Sequence, residues 1–465
     1  MGISERLVSE ALWLADCFPE NALFIQPAFA QLSDFVQERV DQPLNSSPYL
    51  RQVMTKNKDA MRKVADKIGM KKMSKGFVYF RGANNETQII SVSADAIFVD
   101  ELDRMEQSHI AFFDKRLEHS QRRWKRWVST PTIPDYGIHK KYLESDQHEY
   151  HLECNSCHLL QVLNFDENVD KNRRILMCKG CKQEMITWQS KGHWISKAPN
   201  RTIRGYFINQ LYSPSLNVDE LVEQSERGAE YELQQFVNQV LGLPYVQKGA
   251  RMDESMLRAC VTKKFTSPCY EEWNYFGVDV GKVLHIIIRS KERILDITTA
   301  KDFFGATDSL ESLIRRWQPK KVVVDAMPET HEVEKLSKMF KDKVYLCYYS
   351  GMTEPTAEQW FKVSDDHKIN ANRLLGIDHV FDEIRSQKVK LPRNLDDYTE
   401  YKKHMKSTVR IITVDSKGNM RPQYREVGAD HFLHASVYSF IAKSIFVPAT
   451  PEVFLIPWGS SIDLD

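Results

Sequence analysis

Three aspartates lie on three separated elements, and the first stands where a buried strand would ordinarily place an apolar side chain. In GVDVG, residues 277–281, Asp279 interrupts an apolar run; in KKVVVD, residues 320–325, Asp325 closes one; in GADHFLHASVYSF, residues 428–440, Asp430 opens a helical pattern. An unpaired buried carboxylate is costly, so acids in such places call for a positive partner. If the strands carrying Asp279 and Asp325 are neighbours, both acids meet at one sheet edge. A third acid from an adjacent helix would complete a site for two divalent ions about 4 Å apart, the arrangement that hydrolyses phosphodiesters. Plainer readings exist for two of them, Asp325 capping a following helix and Asp430 capping its own. Gly277 and Gly281 are expected to let the backbone approach whatever Asp279 holds. His431 and His434 share one helix, His434 a turn from Asp430. Each reads most simply as a satisfied core histidine, with a part at the metals or the leaving group as the alternative.

The cysteines carry a second chemistry. Four of the eight form two pairs, Cys154-Asn-Ser-Cys157 and Cys178-Lys-Gly-Cys181. Each knuckle offers two thiolates to one ion, and two knuckles complete a tetrahedral zinc site. A closed four-sulfur site has no open position, so it is predicted to be structural. His158 lies beside a knuckle and is not counted as a ligand. Four buried free cysteines are the bland alternative.

A third pattern is AIFVDE, residues 96–101, an apolar strand ending in Asp100 and Glu101. In nucleotide-driven motors the first such acid holds Mg²⁺ and the second polarises the attacking water. Capping of the next helix is the competing role. After WKRW comes Val128-Ser129-Thr130-Pro131-Thr132, where Ser129 and Thr130 are placed to sense a γ-phosphate. A GxxxxGK[ST] phosphate loop is absent. Met1-Gly2-Ile3-Ser4-Glu5 reads as the tail of one, with Ser4 at the metal-binding hydroxyl and Ile3 where the lysine belongs. The chain has therefore either lost ATP hydrolysis or begins short of the loop.

The elements that must position these residues follow from the apolar pattern. The 465 residues suit about three domains. Hydrophobic content of 42% supports real cores, and 64 basic residues against 63 acidic ones make any basic surface local. No apolar run reaches the ~20 residues of a membrane span, and the N-terminus shows no secretory signal. Residues 5–16 are helical and NALFIQP is a buried strand. Residues 33–73 look helical, then FVYFRGA and TQIISV read as strands. Strand–helix alternation predicts a mostly parallel sheet. Residues 205–250 read as mostly helical. From 270, three strands form a meander at 275–280, 284–290 and 294–299. Strands at 321–325 and VYLCYY follow between helices, then a hairpin turning at Gly418-Asn419. Basic stretches at 51–75 and 116–126 are as readily solvated helix faces as DNA contacts.

Together these pieces resemble the large subunit of a tailed-phage terminase of the lambda-like GpA type. The resemblance runs through GISERLVSEALWLAD, YFRGANNETQIISVSADAIFVDELDRM, VSTPT, the cysteine pairs, RGYFINQLYSPSLNVDELV, FVNQVLGLPYV, FGVDVG, VVVDAMPETHEVEKL and DHFLHASVYSFIA, in that order. It implies an α/β chain with a P-loop-type (ASCE) parallel-sheet ATPase domain at residues 1–149, truncated at its start. A zinc ribbon at 150–185, a helical connector at 186–268, an RNase H-like nuclease at 269–445 and a tail at 446–465 complete the expectation. The implied activity is two-metal cleavage of concatemeric viral double-stranded DNA, coupled to ATP-driven packaging into the procapsid. Implied partners are that DNA, a small terminase subunit and the portal, in the host cytoplasm. By the same resemblance Asp100 is the Mg²⁺ acid, Glu101 the catalytic glutamate, and Ser129–Thr130–Pro131 the coupling motif. Asp279, Asp325 and Asp430 are the nuclease acids for Mg²⁺ or Mn²⁺. Two departures stand out: Ile3 replaces the lysine, and the family's DHxxDA helix motif has His434 for its second acid, so Asp430 or His434 is the third ligand. A non-catalytic DNA-binding scaffold and a junction-resolving or transposase-type RNase H enzyme are the competing readings.

Overall fold

The computed structural model describes the chain except residues 1, 28, 61–65, 84–91, 351–355, 357–358, 365, 415–418 and 446–465. It divides into two compact units, Met1–Gln247 and Lys248–Asp465.

In the first unit, strands β1 (Ala22–Gln26), β2 (Asp66–Lys67), β3 (Met70–Lys72), β4 (Phe77–Gly82), β5 (Ala96–Val99) and β6 (Trp124–Trp127) form one sheet in the order β2-β3-β4-β1-β5-β6. β4, β1, β5 and β6 run parallel, and β2 and β3 add an antiparallel margin. Every residue of β1 and β5 is buried, as a parallel strand covered on both faces requires. Alternate residues feed two cores. Phe24, Phe80 and Phe98 meet Leu7, Ala11 and Leu14 of the helix Ile3–Cys17, while Ile25, Ile97 and Val99 meet Phe113 and Leu117. Residues 33–73, expected to be helical throughout, are helical only as far as Ala60 before β2 and β3. Most of the expected strand TQIISV lies outside the described residues.

The cysteine-bearing segment builds a second sheet from β7 (His148–Glu153), β8 (Leu160–Val162), β11 (Gly192–Ser196) and β12 (Tyr206–Phe207), beside a small hairpin of β9 (Val169–Asp170) and β10 (Ile175–Leu176). β7 is central and pairs with β8, β11 and β12. This corrects the expected boundaries. Residues 192–196 and 206–207, within the stretch assigned to a helical connector, are strands, because the long β7 leaves backbone donors and acceptors that local knuckles cannot satisfy. The helices Val218–Ser225 and Glu230–Gln235 do follow. Leu221, Val222 and Phe236 pack into the same core as Cys154 and Cys178, so they belong to this module.

In the second unit, β13 (Tyr275–Val280), β14 (Leu284–Arg289) and β15 (Ile294–Ala300) form the expected antiparallel meander. β16 (Lys321–Asp325) pairs parallel with β13, β17 (Val344–Tyr349) with β16, and β19 (Lys368–Ala371) with β17. β18 (Phe361–Val363) closes the edge antiparallel, giving the order β15-β14-β13-β16-β17-β19-β18. β20 (Thr408–Val414) and β21 (Met420–Glu426) pair antiparallel as the hairpin pattern predicts; of the expected turn Gly418-Asn419, Gly418 lies outside the described residues. Phe276, Val278, Ile286, Val322 and Val324 face the helices Leu310–Trp317 and Thr330–Met339. Ile287, Val323 and Cys347 face the helices Arg373–Arg385 and His431–Ser444. By the two-residue period of a strand, Asp279, His285 and Asp325 lie on this second face.

Candidate functional site

Asp279 and Asp325 occupy one row of the second unit's sheet. β13 and β16 are parallel neighbours with Val278 beside Val324, so the next residue on each strand is an aspartate. Adjacent strands run about 4.8 Å apart, which sets the two side chains next to each other on one face of the sheet. His285 extends the row, since it pairs with Asp279 across β13 and β14.

The helix His431–Ser444 lies on this row because of Gly277. A Cβ there would fall 2.1 Å from both the Ala435 carbonyl oxygen and the Ser439 amide nitrogen. The glycine therefore admits helix backbone, not a ligand of Asp279, which corrects the expected role. The close approach sets His431 over Asp279, and His431 Nδ1 donates to Asp279 Oδ2 at 2.8 Å. Neither aspartate with a plainer reading serves as a cap. Asp325 Oδ1 accepts from the Met327 amide at 3.1 Å, five residues short of the next helix start, and Asp430 makes no side-chain bond to its own helix end.

Asp430 instead accepts from the Thr408 hydroxyl at 3.3 Å and lies 3.2 Å from His434 Nε2 and 3.6 Å from Arg373. Arg373 also pairs with Glu426. His434 is engaged at both nitrogens, since Nδ1 meets the Tyr349 hydroxyl at 2.9 Å. Three sets of ligand atoms within 4.8 Å of one another arise among the described residues of this unit: Asp279 with His285 and His431, His285 with Glu400 and His404, and Glu426 with Asp430 and His434. Asp325 falls in none of them.

Electrostatics divides the acids. Asp325 is pushed up to about 6, first by burial and then by the facing Asp279, against the Met327 amide. Burial would raise Asp430 too, but the His434 hydrogen bond and charge, with Arg373 and Thr408, hold it below the ordinary carboxylate value. His431 is raised by its bond to Asp279. Burial thus disfavours the charged form of Asp325, a cost that a cation bound beside it would relieve.

In the first unit, Asp100 follows β5 and is buried. The Ser4 hydroxyl donates to Asp100 Oδ1 at 3.1 Å, and Gln26 Nε2 to Oδ2 at 3.2 Å. Glu101 adopts a left-handed backbone, φ 58°, a sparsely populated conformation for a side chain of its kind. It lies 3.5 Å from Arg104, and neither acid caps the turn that follows. Burial raises Asp100, against Ser4 and the Glu101 amide, and raises Glu101, against Arg104.

Sequence reasoning missed Asp103. It is fully buried and accepts from the Thr132 amide and hydroxyl, both at 2.8 Å, and from the Ile138 amide at 2.7 Å, while its own amide donates to Ser129 Oγ at 3.0 Å. It thereby ties Ser129 and Thr132 to the turn that follows β5. A third acid in VDELD, set where a turn should be solvated, was the available signal.

The four knuckle sulfurs come together within 4.8 Å, with Cys154–Cys181 and Cys157–Cys178 Sγ separations of 3.7 Å. Four sulfurs about 2.3 Å from a tetrahedral zinc lie about 3.8 Å apart, so the donor set fits. Although burial opposes it, amide and side-chain donors including Gln161 and Gly180 draw Cys178 down to about 6, while burial and the neighbouring thiols push Cys181 up to about 11. His158 turns to Glu153 at 2.6 Å and stays outside the set. Among the described residues no helix is long and apolar enough to cross a membrane.

Comparison with known families matches residues 1–198 to the model "Phage terminase large subunit gpA, ATPase domain" and residues 203–282 to "Terminase large subunit gpA, endonuclease domain". Together they cover more than half of the chain. Among curated proteins, no sequence matches. Among solved structures, the large terminase of a thermophilic bacteriophage is 15% identical, with TM-score 0.29, over 94% of this chain and 89% of that one. The large terminase nuclease of a second thermophilic phage, with bound magnesium, is 11% identical, with TM-score 0.27, over 40% of this chain and 95% of that one.

Proposed function

Since the chain belongs to the gpA family of phage terminase large subunits, with its ATPase and endonuclease domains, we propose that its second unit cuts concatemeric double-stranded phage DNA by two-metal hydrolysis. The observation that carries this reading is the Asp279–Asp325 row, two neighbouring aspartates of which Asp325 is pushed up to about 6. Asp279 and Asp325 are the residues that would hold Mg²⁺ or Mn²⁺, with Asp430 as third ligand once it parts from Arg373, and His434 as its alternative. Bound ions would activate the attacking water and stabilise the leaving oxygen. His431 holds Asp279 in place and supplies a proton donor beside it. The meander, the parallel strands and the helix over Gly277 support an RNase H-like fold for this unit.

In the first unit, Asp100 with Ser4 is the Mg²⁺–ATP position, Glu101 the water-polarising acid, and Ser129–Thr130, held through Ser129 to Asp103, the coupling loop. Ile3 in place of the lysine argues for weak ATP turnover by this chain. The cysteine module holds a structural zinc. A small terminase subunit, the procapsid portal and the host cytoplasm complete the proposal. The scaffold reading is the alternative.

The test is plasmid cleavage with Mg²⁺ or Mn²⁺ by the full chain and by Asp279→Asn. Metal-dependent cleavage lost in the variant supports the nuclease. Equal cleavage by both exposes a contaminant, and none by either favours the scaffold.

A further inference from the structure

We propose a second metal site in the second unit, formed by His285, Glu400 and His404, that selects a borderline transition ion such as Zn²⁺ or Co²⁺. His285 stands on β14; Glu400 and His404 lie one turn apart on the helix Thr399–Met405, the spacing that puts two side chains on one helix face. Glu400 Oε1 is 3.6 Å from His285 Nε2 and 3.7 Å from His404 Nε2. Ligands about 2.1 Å from a tetrahedral ion lie about 3.4 Å apart, so little movement closes the site.

The independent observation is His285 itself. It is 4% exposed, and neither of its ring nitrogens has a hydrogen-bond partner. A buried imidazole left this way carries a desolvation cost that an ion would offset. Its ring stacks on His431, centroids 4.6 Å apart, which fixes its plane. Glu400 is exposed and leaves room for water as a further ligand. His404 Nδ1 accepts a long bond, 3.4 Å, from the Phe432 amide. Loading at Nε2 moves the ring to its other tautomer and gives that bond up, a cost set against affinity. Two imidazoles and one carboxylate favour zinc-like ions over Mg²⁺, which prefers oxygen. Asp279 and Asp325 are not ligands here, so the site does not rest on the nuclease reading.

The test uses the full chain with zinc retained at the cysteines, titrated with Co²⁺ and followed by visible ligand-field absorption and cobalt per chain. Wild type is expected to take up a Co²⁺ that Glu400→Gln and His404→Asn each weaken about tenfold or more, and that Asp325→Asn leaves in place. Glu400→Gln changes an exposed side chain, so it decides the matter if His404→Asn fails to fold. Equal binding by wild type and Glu400→Gln, or a Co²⁺ lost only in Asp325→Asn, overturns the proposal. Absence of DNA cleavage leaves this readout untouched.

Discussion

The Ser4 hydroxyl donates a 3.1 Å hydrogen bond to Asp100, 96 residues further along the chain. The first helix and the end of β5 therefore meet at one point, and the proposed reading sets Ile3 where a phosphate-binding lysine would stand. We expect ATP turnover by this chain at background level, unchanged by Glu101→Gln. Turnover that falls in Glu101→Gln would show a motor that works without the lysine.

Gly277→Ala tests the helix contact. Its Cβ would sit 2.1 Å from helix backbone, which cannot swing aside as a side chain can. Overpacking of this kind costs about 1–3 kcal/mol. Thermal unfolding should show the loss, and cleavage should fall with it as His431 is lifted from Asp279. Unchanged melting would refute the close approach.

Asp325 predicts a pH dependence in chelator-treated protein. Its folded pKa, about 6, exceeds the unfolded value of 3.8, so folding favours the protonated form. That contribution is fully present below the unfolded pKa and is lost as pH rises towards 6, by up to about 3 kcal/mol. Asp325→Asn should flatten the loss and raise metal-free stability at pH 7. Urea unfolding at pH 4, 6 and 7.5 checks it.

Arg289 and Glu383 form a two-bonded pair at 2.8 and 3.0 Å, almost wholly buried, joined by Lys443. Glu383→Leu strands two cations and should cost about 3–5 kcal/mol, whereas replacing all three partners with apolar residues should recover much of it. Denaturant midpoints of the two variants decide between these outcomes.

Cys178→Ser should lose the zinc measured by elemental analysis and lower the melting temperature. Cys178 lies in the core that also holds Leu221 and Phe236. Zinc retained at wild-type stoichiometry would contradict the four-sulfur set.

Much was legible in the sequence because its signals are local. The apolar runs of β1, β5, β13 and β16 announce buried strands, the CxxC spacing brings two sulfurs together within a turn, and an acid inside VDV is costly wherever it lies. The reach of the cysteine module to residues 192–207 was not legible, since strand pairing is decided by which edge remains open. Tertiary structure alone decided the rest. Parallel pairing of β13 and β16 set Asp279 beside Asp325, and a missing Cβ at Gly277 let a helix from the far end of the unit descend on them. Packing also turned Asp430 to Arg373 and buried Asp103 beneath the Ser129 loop. Those partners lie tens to hundreds of residues apart, and no periodicity or motif records which charges and backbones meet once the chain has closed.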